Sequence, residues 1–354
     1  MNVACHRRPS VGARVWTHLF GLIVFLLLSV PACAQPGTSP AWLPGLLEKQ
    51  TLTIVITDSG LGGLSVVADA AEKFRQQPVF EKVNLVFVNA LFSDQGGYNA
   101  LQTREEKLSV FSNALQAMQD RYAPDIILVA CNTLSVLIPD TGFVKSSSVP
   151  VVGIVESGVE QIAQQLQGKP AGRNIIFATQ TTVDEGTHKN QLLQKGFGDA
   201  QILTQSCPQL TLYIEQEYDG AYTEMLIDAY VDEALSNMGD VEGPLSVSFN
   251  CTHFGYSLNF WKQAFESRGV KVEAFLDPNL LMVDFLLPAS LQQRYPQSEV
   301  SVKVASMIEI PAASQDSIGR YLNPISPLTE NALRNYEQVE DLFEWRQQTS
   351  SGAE

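Results

Sequence analysis

The sequence contains few cysteines and histidines, which limits the kinds of site it can build. Its 354 residues include 5 cysteines and 4 histidines, with no C-x-x-C pair and no Cys/His cluster at zinc-ligand spacing. If residues 1–34 are removed as a signal peptide, three cysteines remain, an odd number that does not suit a disulfide framework. We therefore expect no metal site and no disulfide-stabilised fold.

Positive charge is also scarce. The 23 Lys and Arg residues are outnumbered by 38 Asp and Glu residues, so the formal net charge is −15. This field repels phosphate backbones, and a nucleic-acid partner is not expected. The chain also lacks the G-x-G-x-x-G spacing of dinucleotide-binding loops and the lysine of G-K-[ST] phosphate loops. What the sequence does have is 45% hydrophobic residues, enough to bury the cores of a folded protein of two domains.

The N-terminus has the pattern of a secretory signal. Three arginines within the first 14 residues precede an apolar run from Leu19 to Leu28, and small residues follow it. We expect cleavage after Ala34, with lipidation of Cys33 as the competing form of processing. An uncleaved anchor and a misassigned start codon are the remaining alternatives. The apolar run is shorter than the roughly 20 residues that span a bilayer, so no stable membrane span is expected after processing. The predicted location is outside the cytoplasm, in the periplasm if the source is Gram-negative.

From Thr51 onward, short β-rich apolar runs alternate with longer amphipathic stretches, which predicts an α/β fold with mainly parallel sheets. The predicted strands are Leu52–Thr57, Val83–Asn89, Ile126–Ala130, Val151–Val155, Ile175–Ala178, Leu245–Phe249 and Val270–Leu276. The predicted helices are Leu64–Gln76, Thr103–Tyr122, Val159–Leu166, Glu185–Gln194, Ala221–Asn237 and Phe254–Arg268. One further packing helix and a tail are expected after Asn323.

Residues that directly follow buried parallel strands deserve the most weight, because α/β proteins place their chemistry at that edge of the sheet. One strand leads into "DSGLGG", which begins at Asp58. Two others, in "DIILVACNT" and "LSVSFNCTH", lead into Cys131 and Cys251. These two segments resemble each other and indicate a weak internal repeat, with one copy in each domain.

A pair of cysteines at equivalent strand ends indicates chemistry, although a single unpaired cysteine is most often a buried apolar residue. A thiol with its ordinary pKa of about 8.5 is only a few per cent ionised at neutral pH, so a basic role needs local stabilisation. The neighbouring His253, backbone amides at a helix start or a substrate ammonium could supply it. Asp58 has a plainer interpretation as a helix cap, and Cys207 is interpreted as structural.

The motifs "TDSGLGGLSV", "PDIILVACNT", "VPVVGIVES" and "NCTHFG" resemble, in order, those of glutamate racemase in the aspartate/glutamate racemase superfamily. The resemblance spans roughly residues 51–290. It implies two pseudo-symmetric α/β domains with the active site in the cleft between them, and racemisation without pyridoxal phosphate, another cofactor or a metal. The predicted division of the chain is signal peptide 1–34, linker 35–50, first racemase domain 51–153 with 282–345, second racemase domain 154–281, and tail 346–354.

The resemblance also implies a role for each matching residue. Cys131 would be the base toward the D-enantiomer and Cys251 the base toward the L-enantiomer of a small amino-acid substrate, glutamate or aspartate. Asp58 would assist Cys131, and His253 would assist Cys251 with Glu215 as its carboxylate partner. The implied substrate contacts are Ser59, Tyr98, Asn132, Thr133, Thr182 and Thr252. Dimers are common in the family, which leaves a homodimer open.

The sequence departs from the family pattern where the substrate would be held. In "NALFSDQGGYNA", Asn89 replaces the family's aspartate, and Tyr98 is followed by Asn99 instead of glycine. After Thr182, "TQTTVDEGTH" lacks the family's serine and tyrosine and has His188 nearby, which is interpreted as structural. These changes predict altered or broadened specificity. An exported copy would also not feed the cytoplasmic cell-wall synthesis that the family normally supplies.

Two alternatives stay open at this point. The same fold carries other reactions of the superfamily, such as those of hydantoin racemase or maleate isomerase. A non-catalytic periplasmic amino-acid-binding protein also has two α/β lobes around a cleft. Retention of both cysteines favours an enzyme.

Overall fold

The structure is a computed structural model that describes residues 40–239 and 243–346. The predicted signal peptide, with both forms of its processing, lies outside the described residues. From Trp42 onward the chain forms one compact unit. In the described ranges no helix is both long enough and apolar enough to cross a membrane.

Ten strands in the described residues form two sheets in which every pair of neighbours is parallel. The strands are β1 (Thr51–Asp58), β2 (Lys82–Asn89), β3 (Ile126–Val129), β4 (Val151–Gly153), β5 (Arg173–Ala178), β6 (Ile202–Ser206), β7 (Leu245–Asn250), β8 (Val272–Leu276), β9 (Glu299–Ser306) and β10 (Glu337–Gln338). The first sheet has the order β10-β9-β2-β1-β3-β4, and the second has the order β6-β5-β7-β8.

Helices connect and cover the strands. In the same described ranges they are α1 (Leu43–Leu47), α2 (Leu64–Gln76), α3 (Arg104–Tyr122), α4 (Asn132–Ser135), α5 (Gly142–Ser146), α6 (Val155–Leu166), α7 (Gln180–Glu185), α8 (Thr187–Gln194), α9 (Leu210–Glu217), α10 (Ala221–Met238), α11 (Leu258–Ser267), α12 (Ala312–Leu322) and α13 (Pro327–Arg334). A capping box at Thr103 and Glu106 fixes the start of α3 by satisfying backbone amides of its first turn.

The centre of strand β1 is buried on both faces of its sheet. Ile54, Val55 and Ile56 are all 0% exposed, although successive side chains point to opposite faces of a strand. Ile54 and Ile56 belong to one apolar cluster, and Val55 belongs to the other. Burial on both faces is typical of a parallel sheet covered by helices on each side. The predicted α/β class with two mainly parallel sheets is confirmed.

The structure differs from the prediction in both halves of the chain. The predicted strand Val151–Val155 ends at Gly153, and α6 already begins at Val155. Strands β6, β9 and β10 were not predicted. In β9, polar residues such as Lys303 alternate with apolar ones, so its sequence shows no continuous apolar run, and five of its eight residues are exposed or half-buried. The predicted helix Glu185–Gln194 is wrong in its bounds. The chain forms two helices there, α7 and α8, because Gly186 has a left-handed φ of 63° between them.

Asp277 is a half-buried residue that directly follows β8. Its Oδ1 accepts a hydrogen bond of 3.0 Å from the backbone amide of Asn279. Burial raises the pKa of Asp277 to about 7, against the lowering effect of that amide and with a further increase from Asp69. The folded protein therefore holds a proton that the unfolded chain releases near pH 4. The free energy of unfolding should consequently fall as the pH rises from about 4 to about 7.

We expect Asp277→Asn to raise the free energy of unfolding at pH 8 by up to about 4 kcal/mol, because the amide needs no proton. At pH 4 the change should be small. Urea unfolding at pH 4, 6 and 8 measures both values. Asp341→Asn, the same substitution at an exposed position, is the control and should leave the pH dependence unchanged. A variant equally stable or less stable than the wild type at pH 8 would contradict the assignment.

Candidate active site

The carboxyl ends of four strands surround a cavity of about 420 Å³. Asp58 ends β1 and Cys131 follows β3, both in the first sheet. Thr179 follows β5 and Cys251 follows β7, both in the second sheet. Parallel strands bring their carboxyl ends to one edge, so residues that are far apart in sequence meet at this edge. Each sheet therefore contributes one cysteine to the same cavity.

Most of the predicted site residues line this cavity. They are Asp58, Ser59, Cys131, Asn132, Thr133, Glu215, Cys251, Thr252 and His253. The other lining residues were not predicted as contacts, and they are Gly60, Leu91, Ser93, Asp94, Gly96, Asn99, Thr179, Gln209, Thr211 and Leu212. Two predicted contacts, Tyr98 and Thr182, do not line it.

The Cys131 thiol lies against polar groups of the first sheet. Cys131 Sγ is 3.1 Å from Ser59 Oγ, and Cys131 is 4% exposed. Burial raises the pKa of Cys131, and the nearby Asp58 carboxyl raises it further, while contacts with Ser59 lower it in part. The protein alone therefore keeps this thiol protonated. A positive group entering the cavity would shift the balance toward the thiolate.

The Cys251 thiol has a different partner. Its Sγ is 3.8 Å from His253 Nδ1, and His253 Nε2 is 2.7 Å from Glu215 Oε1. Burial alone would lower the pKa of His253, but its hydrogen bonds to Cys251 and Glu215 raise it well above its ordinary value. The contacts with Glu215 and Cys251 therefore favour the imidazolium form of His253. Cys251 therefore contacts a histidine that is itself paired with a carboxylate.

One hydrogen bond joins the two sides of the cavity. Thr252 Oγ1, next to Cys251, donates to Asp58 Oδ2 at 2.7 Å. Asp58 is 1% exposed. Burial raises its pKa, while His253, Thr252 and Cys131 lower it in part. A carboxyl group with a raised pKa beside a thiol can accept and return a proton, which suits Asp58 to assist Cys131.

The glycine-rich loop after β1 packs against the His253–Glu215 pair. The backbone amide of Leu61 donates to Glu215 Oε1 at 2.7 Å, so this amide binds a carboxylate of the protein itself. A Cβ on Gly60 would lie 2.7 Å from Glu215 Oε1, and one on Gly62 would lie 2.6 Å from His253 Nδ1. Glycine is required at both positions because the loop and the side chains approach so closely.

We expect Gly62→Ala to lower kcat/KM by about 100-fold, because the new methyl group would collide with the Thr252 hydroxyl, which binds Asp58, and with the His253 ring beside Cys251. The measurement is exchange of the substrate α-hydrogen, with circular dichroism to verify folding. Gly45→Ala is the control, since a Cβ there meets no atom within 4 Å and should leave the rate unchanged. Full activity in a folded Gly62→Ala protein would show that the ring position is not critical.

Three threonines form a hydroxyl cluster at one wall. Thr133 Oγ1 is 2.8 Å from Thr179 Oγ1, and Thr179 Oγ1 is 3.0 Å from Thr182 Oγ1. Thr133 and Thr179 line the cavity, whereas Thr182 lies behind them and contacts both. Thr182 therefore orients the hydroxyl groups that line the wall. Thr179 was missed, although it follows β5 just as Cys131 follows β3.

The structure places the Tyr98 side chain in the aromatic core and not in the cavity. Its ring centroid is 5.0 Å from that of Phe92 and 6.3 Å from that of Phe111, and the residue is 1% exposed. Burial of a large ring explains this orientation. Asn99 lines the cavity instead, and its Oδ1 accepts a hydrogen bond of 2.9 Å from Thr181.

The remaining unpredicted residues come from two loops. Ser93 and Asp94 follow β2, in the segment where the sequence departs from the family pattern. Gln209, Thr211 and Leu212 follow β6 at the start of α9. Recognition of "QILTQS" as a strand would have placed these residues at its carboxyl end. Lys and Arg are absent from the described residues that line the cavity. The described ranges also contain no group of three or more His, Cys, Asp or Glu that could hold a metal ion.

Each of the two parallel sheets supplies one thiol to the shared cavity. This arrangement is typical of enzymes that transfer protons to and from both faces of a substrate carbon. The profile of the Asp/Glu/Hydantoin racemase family matches residues 62–254, more than half of the chain, and the chain belongs to that family. The predicted racemase class is thereby confirmed.

Individual relatives agree with this assignment. The chain is 26% identical to the glutamate racemase of Aquifex pyrophilus over 204 residues, which are 57% of this chain and 71% of the relative. It resembles the crystal structure of glutamate racemase from Campylobacter jejuni with a TM-score of 0.58 at 18% identity, over 77% of this chain and 98% of that one. The Francisella tularensis glutamate racemase in complex with D-glutamate gives a TM-score of 0.57 at 20% identity, over 77% of this chain and 94% of that one.

Proposed function

We propose that the protein is a cofactor-independent amino-acid racemase that interconverts L- and D-glutamate. The observation that carries the proposal is the meeting of Cys131 and Cys251 at one cavity, each from a different sheet and each with its own polar partners. Inversion at an α-carbon needs a base on one face and an acid on the other, and paired thiols meet this need. The named relatives favour glutamate as the substrate.

The proton transfer runs between the two thiols. For D-glutamate, Cys131 as thiolate removes the α-hydrogen and becomes a thiol, while Cys251 as thiol delivers a proton to the opposite face and becomes a thiolate. The reverse transfer converts L-glutamate. One proton leaves and one arrives, so the charge of the pair is conserved. Asp58 and His253 return each thiol to its starting protonation state.

The substrate completes the electrostatics of the cavity. Burial and the Asp58 carboxyl both raise the pKa of Cys131, so an unliganded cavity does not produce its thiolate. The ammonium group of an amino acid beside this thiol would oppose both effects. A buried thiol of this kind ionises only when the substrate has arrived, which protects it between turnovers.

Neutral groups hold the substrate carboxylates in this proposal. The cavity offers hydroxyl groups from Ser59, Thr133 and Thr179 and the amide of Asn132, and no lining residue within the described chain is Lys or Arg. Hydroxyl and amide donors that converge on one point bind an anion without a formal positive charge. Changes in the Ser93–Asp94 loop favour a broader substrate range than glutamate alone.

Proton NMR in deuterated water tests the function. The protein is incubated under reducing conditions with L-glutamate, L-aspartate and a panel of neutral amino acids. We expect loss of the α-proton signal of glutamate together with formation of the D-enantiomer on a chiral column. The Cys131→Ala/Cys251→Ala double variant is the control for contaminating racemases. A folded protein with intact thiols that binds glutamate but exchanges no hydrogen would instead be a binding protein.

We also propose that the protein acts outside the cytoplasm. Support comes from the three N-terminal arginines, the apolar run from Leu19 to Leu28 and the small residues before position 35. Cell fractionation with mass spectrometry of the mature N-terminus tests this. Cleavage after Ala34 gives a chain that starts at Gln35, whereas lipidation gives a modified Cys33. An intact N-terminus found only in the cytosol would overturn the proposal.

A further inference from the structure

A buried histidine behind the cavity holds one of the lining side chains. His188, in α8, is 2% exposed, and its Nε2 is 3.1 Å from Asn132 Oδ1. Asn132 is also 2% exposed, directly follows Cys131 and lines the cavity. His188 itself is not among the lining residues. The contact therefore connects a residue outside the cavity to one that faces its contents.

Of the two polar atoms of the Asn132 carboxamide, one has a hydrogen-bond partner and the other has none. The oxygen accepts hydrogen bonds and the NH₂ group donates them. The oxygen is taken by His188, but Asn132 Nδ2 is buried and has no hydrogen-bond partner in the described structure. A buried donor without a partner is unfavourable, and an acceptor group on a ligand would remove that cost.

The tautomer of His188 decides which end of the carboxamide faces it. Burial lowers the pKa of His188 to about 4, so the ring is neutral at pH 7 and carries one N–H. A neutral ring with its hydrogen on Nε2 donates to the Asn132 oxygen. If the carboxamide were turned over, the NH₂ group would face that N–H, and two donors would repel each other.

We propose that His188 is a positioning residue that fixes the Asn132 carboxamide so that its Nδ2–H donates to a carboxylate of the substrate. This inference rests on the proposed racemase function and deepens it. His188 acts only through Asn132, and it does not touch the substrate. It gives the wall beside Cys131 a donor of fixed direction, which suits an anionic acceptor and disfavours a substrate ammonium at that point.

A double-mutant cycle tests the coupling. We expect His188→Phe, which keeps the ring and removes its N–H, to raise the KM for L-glutamate about tenfold with a smaller change in kcat. His188→Gln restores a donor and should recover part of the loss. When Asn132 is already alanine, His188→Phe should cost no further activity, because the residue through which it acts is gone.

A purely structural role gives a different pattern. The effects of His188→Phe and Asn132→Ala would then multiply in the double variant, and His188→Gln would give no rescue. Either result overturns the proposal, as does an unchanged KM in His188→Phe. Lys189 lies on the same helix as His188 and forms a surface ion pair with Asp199. Lys189→Gln breaks this pair, serves as the control and should keep wild-type kinetics. A wild-type protein without α-hydrogen exchange would instead reject the racemase function.

A second measurement does not depend on activity or on the folding of a variant. In wild-type protein labelled with ¹⁵N-histidine, the ring shifts of His188 at pH 7 report its tautomer. Hydrogen on Nε2 supports the proposal, and hydrogen on Nδ1 contradicts it. Saturation with D-glutamate should also shift the Asn132 side-chain NH₂ signal, and the absence of a shift at saturation would equally contradict it.

Discussion

Cys131→Ser and Cys251→Ser are each expected to lower the rate of glutamate racemisation by about 1000-fold or more. Each thiol supplies one half of the proton exchange, and a hydroxyl group is a much weaker acid. Both cysteines are almost fully buried, at 4% and 6% exposure, and serine fits the same space, so the fold should be retained. Chiral chromatography of both enantiomers measures the loss.

Each single variant should keep one half of the chemistry. With Cys131 replaced, Cys251 can still remove the α-hydrogen of L-glutamate and return deuterium from the solvent to the same face. We therefore expect slow exchange of L-glutamate without inversion in Cys131→Ser, and the corresponding exchange of D-glutamate in Cys251→Ser. The reverse assignment of enantiomers would show that the faces are exchanged, and wild-type rates in both variants would refute the two-thiol mechanism.

Cys207→Ala is the matched control for these variants. Cys207 is a third buried thiol, 2% exposed, and it does not line the cavity. Its loss should lower the free energy of unfolding by about 1 kcal/mol without a large effect on racemisation. If Cys207→Ala were as inactive as the other two, the losses would reflect packing in this region and not thiol chemistry.

The central strands could be predicted from the sequence because they are buried on both faces. β3 is a continuous apolar run, the centre of β1 is the apolar run Ile54–Ile56, and residues at the carboxyl ends of both strands meet in the cavity. β9 could not be predicted in the same way. It is partly exposed, and its place beside β2 depends on pairing between residues more than 200 positions apart, such as Val83 and Val300.

Some residues of the candidate site could also be predicted from the sequence, and others could not. Cys131, Cys251 and Asp58 could be found because they sit at strand ends and carry reactive groups. Tyr98 was predicted as a contact because of its position in a motif, but its ring packs among aromatic neighbours. His188 was interpreted as structural because nothing in its local sequence indicates a partner. Its contact with Asn132 joins residues 56 positions apart and depends on the tertiary fold.

Glu215→Gln is expected to slow racemisation by about 100-fold through its effect on His253. Glu215 Oε1 lies 2.7 Å from His253 Nε2 and also accepts the Leu61 amide. Without the negative charge, the pKa of His253 falls, and the imidazolium beside Cys251 is lost at a lower pH. The alkaline limb of the kcat/KM profile should therefore move to lower pH. Glu217→Gln, an exposed glutamate on the same helix, should leave the profile unchanged.

The isotope effects decide which thiol the Glu215–His253 pair serves. A racemase has an equilibrium constant of one, so kcat/KM must fall equally in both directions and cannot reveal the affected side. Slower proton abstraction by Cys251 should instead enlarge the primary isotope effect with α-deuterated L-glutamate and reduce it with α-deuterated D-glutamate. A larger isotope effect with D-glutamate and a smaller one with L-glutamate would show that the pair assists Cys131. An unchanged pair of isotope effects would mean that Glu215 supports only the glycine-rich loop, through its bond with the Leu61 amide.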